Sequence, residues 1–187
     1  MKKGAIIGLV VLGVLLILVF VVIGNYNNMT TSRENVDTKS SDVDVYLQRR
    51  ADLIPNLVST VKGYMQHEEQ VISDITTARE NLLNASSMSE KATANDELTS
   101  AINALAVVVE NYPDLKANTN FINLQDELTG AENRISTARR DYNDAVKEYN
   151  TLIIKFHNNI LASMFNFEKA EYFKADEGKT DAPNVEF

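Results

Sequence analysis

The feature that most constrains this chain lies at its start. Residues 4–24, GAIIGLVVLGVLLILVFVVIG, hold 21 positions without a charge or a strongly polar side chain. As a helix rising about 1.5 Å per residue, the stretch is roughly 31 Å long, the thickness of a bilayer's hydrocarbon core. A cleaved signal peptide has a shorter apolar region and small residues before the cut. Here Phe20, Val21, Val22 and Ile23 precede Gly24, and no Cys is present for a lipid anchor. Residues 1–24 are therefore expected to be an uncleaved single-pass transmembrane helix. Lys2 and Lys3 precede the span, whereas Arg33 and Lys39 beyond it have Glu34 and Asp37 for neighbours. The positive-inside rule then predicts a cytoplasmic N-terminus and a domain on the extracytoplasmic side of the membrane.

Setting the anchor aside changes the charge of the remaining domain. The whole chain is −8, but without Lys2 and Lys3 the remainder has 16 Lys and Arg against 26 Asp and Glu, which is −10. Such a domain lacks the basic face of a nucleic-acid binder, and no nucleic-acid partner is expected. An absence of Cys excludes disulfides, thiolate metal sites and cysteine nucleophiles. Gly and Pro together number 10, about half the usual share, so long helices are favoured over tight turns.

The rest of the chain repeats apolar residues at steps of three and four, the spacing of one stripe along a helix. Val36, Val43, Leu47, Ile54, Val58, Val61 and Met65 predict a first helix over about 27–63, bent or broken near Pro55. Ile72, Ile75 and Leu82 predict a second over about 67–84. Ser87 and Glu90 have capping-box spacing and open a third, with Ala94, Leu98, Ile102, Leu105 and Val109 on its face and its end near Asn111, before Pro113. Asn118-Thr119-Asn120 caps the fourth, whose seam runs Phe121, Leu124, Leu128, Ala131, Ile135, Ala138, Tyr142, Ala145, Tyr149, Leu152, Phe156, Ile160. That is coiled-coil periodicity over more than five heptads. The expected fold is all-α: a transmembrane helix followed by an antiparallel four-helix bundle, 25–167, with two long helices, and a flexible tail, 168–187. Long helices that overhang a shorter pair expose apolar stripes, and such stripes find a partner. Self-association into a homo-oligomer is the expected result.

Reaction chemistry is hard to find. In His67-Glu68-Glu69-Gln70-Val71 the second His of a zinc-protease motif is replaced by Val71. No Glu precedes His67 or His157 by three, as a di-iron bundle requires; Tyr64 and Ile154 stand there. The glycines are too scattered to cradle a phosphate. No catalytic residue, metal or cofactor is expected. Two features read as contact surfaces instead. Arg49, Arg50 and Asp52, with Pro55 and Asn56, place polar groups beside a helix irregularity, a candidate interaction surface as well as an ordinary solvated face. Val185 and Phe187 give the C-terminus the spacing of a tail that docks as an extra strand on a partner's sheet.

Residues 48–68, QRRADLIPNLVSTVKGYMQHE, resemble the signature of the LemA family, as do 112–128, YPDLKANTNFINLQDEL, and 132–150, ENRISTARRDYNDAVKEYN. The ending PNVEF at 183–187 and the N-terminal span complete the resemblance over essentially the whole chain. Two departures stand out. A Trp common near Ser40 is absent, and His157 stands where a Pro commonly follows Phe156, implying a smoother end to the long helix. The resemblance implies a membrane-tethered helical domain of the bacterial cytoplasmic (inner) membrane with no established catalytic residues. It implies that Arg49, Arg50, Asp52, Pro55 and Asn56 form a shared feature, and that Tyr112, Pro113, Asp114 and Leu115 fix the turn into the last long helix. Asn133, Arg134, Arg139, Arg140, Tyr142, Asn143 and Tyr149 would line that helix. By association it points to envelope protein quality control, beside membrane peptidases or TPM-domain proteins.

The functional expectation is a non-enzymatic envelope scaffold or adaptor that contacts lipid through its anchor. The alternative is a regulatory or adaptor subunit of a membrane peptidase or TPM-domain protein.

Overall fold

The computed structural model describes residues 2–65 and 67–174. All of its regular structure is helical: α1 (Lys2–Lys62), α2 (Glu69–Asn84), α3 (Met88–Val109), α4 (Pro113–Lys116), α5 (Thr119–Ile154) and α6 (Asn158–Met164). One long apolar N-terminal helix fits a single-pass membrane anchor. Its apolar side chains, Leu9, Ile17 and Phe20 among them, have no protein cover.

The span and the first expected domain helix are one element. The polar residues Asn25, Thr30 and Thr38 do not interrupt α1, because their side chains fold back onto the carbonyls of Val21, Tyr26 and Glu34, four residues earlier. As the expected helix over 27–63 does, α1 runs through Pro55 without a break. Pro55 has no N–H for the carbonyl of Ala51, four residues before. Arg79 of α2 supplies a donor instead, with Nε 2.8 Å from that carbonyl oxygen. An orphaned acceptor in a helix is thus satisfied from the neighbouring helix. The helix stops one residue before Gly63.

The chain divides into two compact units. The first comprises residues 1–38 and 144–170. Its buried residues are Met29 and Val36 of α1, Ala145, Val146, Tyr149, Asn150 and Ile153 of α5, and Ala162 of α6. The Arg33 guanidinium lies 5.7 Å from the centroid of the Tyr149 ring, and Tyr26 packs edge-on against Phe165 and Phe167 at 5.0 and 5.6 Å. The expected seam ends early. Tyr149 is its last buried member; Ile153, outside the expected seam, is buried in place of the half-buried Leu152, and Phe156 and Ile160 are exposed. The helix itself ends at Ile154, because His157 takes a left-handed φ of 70° and Asn158 donates through Nδ2 to the Leu152 carbonyl. His157 therefore breaks the helix rather than smoothing it.

The second unit comprises, of the described residues, 39–143 and 171–174. Buried apolar residues come from every long element: Val43, Leu47, Ile54, Leu57 and Val61 of α1; Ile72, Ile75 and Leu82 of α2; Leu98, Leu105 and Val109 of α3; Phe121, Leu128 and Ile135 of α5. Leu57, not Val58, continues the α1 stripe. The capping box of α3 forms as expected, with Ser87 Oγ accepting from the Glu90 amide and the Glu90 carboxylate accepting from the Ser87 amide. Asn118 caps α5 through Oδ1, and Leu115 of the short α4 is fully buried, anchoring the turn that the 112–115 segment was expected to make.

Residues 168–174, read from sequence as the start of a flexible tail, are held along α5. Asn150 grips Ala170 on both sides of its peptide, Nδ2 to O at 2.9 Å and N to Oδ1 at 2.8 Å. Asn143 does the same to Phe173 at 3.1 and 2.9 Å. The preceding tyrosines add a bond each, Tyr149 to the Glu168 carbonyl and Tyr142 to that of Glu171. The Tyr-Asn dipeptide recurs a heptad apart, about 10.5 Å of helix. Three residues of extended chain cover a similar length, about 10 Å, so a repeated pair can grip successive stretches.

Candidate functional site

Arg50 is the residue on which the site is built. It follows Val43 and Leu47 by seven and three and precedes Ile54 and Leu57 by four and seven, so it stands in the buried stripe of α1. Only 3% of it is exposed. Nη1 donates to Asn95 Oδ1 at 2.5 Å and to Thr99 Oγ1 at 3.0 Å, both on α3. The same atom lies 2.5 Å from Glu132 Oε2 of α5, a short ion pair. Nε is buried without a hydrogen-bond partner among the described residues. Burial pushes the guanidinium pKa below its ordinary value, and the nearby Glu132 and Asp96 carboxylates act against that shift.

A cavity of about 440 Å³ opens beside this cluster, entirely within the second unit. Its polar wall includes Arg50, Thr99, Asn103, Gln125, Thr129 and Asn133, and its apolar wall Leu57, Leu105, Phe121 and Leu128. The carboxylates Asp126 and Glu132 stand in the same lining, and this mixture of charged, neutral polar and apolar groups suits a partner group that is part polar and part apolar.

The five residues expected to share a surface do not. Arg49 and Asp52, with Asn56 a turn further on, lie on the outward face of α1, and Pro55 is exposed beside them. Gln48 donates to Asp52 at 2.8 Å. Arg50 points the other way, into the core, because side chains one position apart on a helix diverge by about 100°. Asn95, Thr99 and Glu132 were not singled out from sequence. Asn95 had a signal, being a polar residue between Ala94 and Leu98 of the apolar face of α3. Val185 and Phe187 lie outside the described residues. His67 and His157 are both exposed. No group of three or more potential metal ligands occurs among the described residues.

Comparison with known proteins reaches the same segments. The profile of the LemA family matches residues 39–187. The chain is similar to the magnetosome proteins MamQ 1 and MamQ 2 of Paramagnetospirillum magneticum, 28% identical over 92% of this chain and 74% of each relative. It is also similar to protein LemA of Metamycoplasma hominis, 28% identical over 84% of this chain and 73% of the relative.

Proposed function

The chain belongs to the LemA family, and we propose that it works as a non-enzymatic, single-pass adaptor or scaffold of the cytoplasmic membrane. In this reading its helices form an antiparallel bundle on the extracytoplasmic side, and its cavity receives a partner. The observation that carries the proposal is Arg50. Arg50, a charged donor in the lining of the cavity, supports an attachment point there for a partner's acceptor group. The continuity of α1 from the apolar span to Lys62 supports the tether, since no loop separates the span from the residues that flank the cavity.

A photo-reactive residue at Thr129, an exposed member of the cavity lining, tests this in native membranes, with Glu80 on the exposed face of α2 as the control position. Cross-linking from position 129 is expected to give a discrete product that position 80 does not, and Arg50→Met is expected to weaken it. The same pattern from both positions would contradict the adaptor reading. A product containing a second copy favours a scaffold. One containing a membrane peptidase or a TPM-domain protein favours the regulatory-subunit form of the same proposal.

A further inference from the structure

We propose that α6 and the turn before it form a second membrane contact, a foot that lies in the lipid interface beside the span. The first observation is exposure. Ile154, Phe156, Ile160, Met164 and Phe165 are 54%, 76%, 55%, 65% and 43% exposed, and Ile160 and Met164 share one face of α6. Unpartnered apolar faces of this kind mark a covered surface.

The second observation says what covers it. Tyr26, two residues beyond the apolar stretch, packs edge-on against Phe165 at 5.0 Å and Phe167 at 5.6 Å. A tyrosine there sits at the level of the lipid headgroups, where aromatic side chains with a polar tip concentrate. About two turns further along α1, Arg33 lies over Tyr149 of α5. Within the first unit, α5 thus runs from Tyr149 beside Arg33 down towards Tyr26, and the apolar face of α6 arrives at the depth of the membrane surface. Charge agrees with this: residues 149–167 contain no Asp or Glu, one Lys and one His, in a chain with 26 acidic residues. A surface of anionic lipid repels the rest of the domain, but not this segment. The occupant is therefore lipid rather than a second copy, and the overhang of the long seam is used at the membrane.

The inference rests on α1 crossing a bilayer, and the absence of Trp from the chain lets both be tested by single-Trp variants of the full-length protein. The variants are reconstituted into phosphatidylcholine–phosphatidylglycerol nanodiscs with lipids brominated at shallow or deep acyl positions. Phe156→Trp and Ile160→Trp are expected to be quenched by shallow bromines, as for an interfacial helix about 5–10 Å deep. Leu16→Trp is expected to be quenched by deep bromines, and Asp144→Trp, further up α5, by neither. Quenching of Leu16→Trp with none at positions 156 and 160 would overturn the foot while leaving the anchor standing. Blue-shifted but unquenched emission from position 156 would mean protein covers the face, and overturns it too. Failure of Leu16→Trp to be quenched would overturn the anchor, and the foot with it.

Discussion

At the scale of single residues, the decisive arrangement is one charge in an apolar stripe. Arg50 is held by hydrogen bonds to Asn95 and Thr99 and by an ion pair with Glu132, and removing Asn95 or Thr99 leaves a buried group short of a hydrogen bond. Arg50→Met is expected to cost about 1–3 kcal/mol, chiefly because it leaves Asn95 Oδ1 buried and unpaired. Asn95→Leu is expected to cost a similar amount, and the double variant less than the sum by about 1–2 kcal/mol. Urea unfolding of the full chain in mild detergent measures the cycle. Glu132 is 40% exposed on its side chain, so solvent screens its share of the pair. The position of Arg50 was legible in principle, since the stripe 43, 47, 54, 57, 61 leaves 50 as its missing member. What sequence could not supply is the distance in chain to its partners, 45 residues to Asn95 and 49 to Thr99. The capping box was legible because it is local, four residues end to end. Hydrogen bonds donated by the Ser87 and Ser86 amides and by the Ser86 hydroxyl hold the Glu90 carboxylate below its ordinary 4.5. A depressed carboxylate stabilises the fold above its unfolded pKa, and that contribution is lost as pH falls through the folded value. Ser86→Ala removes one of these donors, the Ser86 hydroxyl 3.0 Å from the carboxylate, and is expected to move the Glu90 titration towards 4.5, followed by NMR; Ser87→Ala, which removes the acceptor for the Glu90 amide, is expected to cost about 1 kcal/mol as a lost cap.

At the scale of elements, Pro55 shows how a helix continues through a residue that a local rule marks as a weak point. A proline inside a helix costs about 3 kcal/mol largely through its missing donor and the clash behind it. The sequence rule assumes that the freed carbonyl stays unsatisfied. Arg79, 28 residues from Ala51, satisfies it. Pro55→Ala restores the backbone donor, and then Arg79 matters less. Arg79→Ala is therefore expected to destabilise the wild-type chain by about 1 kcal/mol more than it destabilises the Pro55→Ala variant. Equal losses in the two backgrounds would show that Arg79 acts elsewhere. The end of α5 was misjudged. Its periodicity continues through Phe156 and Ile160, and apolar spacing alone does not reveal whether a stripe faces protein or another apolar medium. The gripping of residues 168–174 was hidden for the same reason as the Arg50 cluster. The Tyr-Asn repeat is visible in sequence, but the extended backbone it holds has no period of its own.

At the scale of the whole molecule, the composition acquires a division of labour. The positive charges at the N-terminus precede the apolar span, and the acidic excess lies beyond it. The LemA family assignment covers the part beyond the span, residues 39–187. The central claim is that α1 tethers an extracytoplasmic adaptor. The absence of Cys makes a single-Cys topology experiment unambiguous. Asp96→Cys places a thiol on the exposed face of α3, and Leu16→Cys places one in the span. In intact spheroplasts, a membrane-impermeant maleimide is expected to label position 96 fully and position 16 not at all, with the protein remaining in the membrane fraction after a salt wash. Labelling of position 96 only after lysis would contradict the claim.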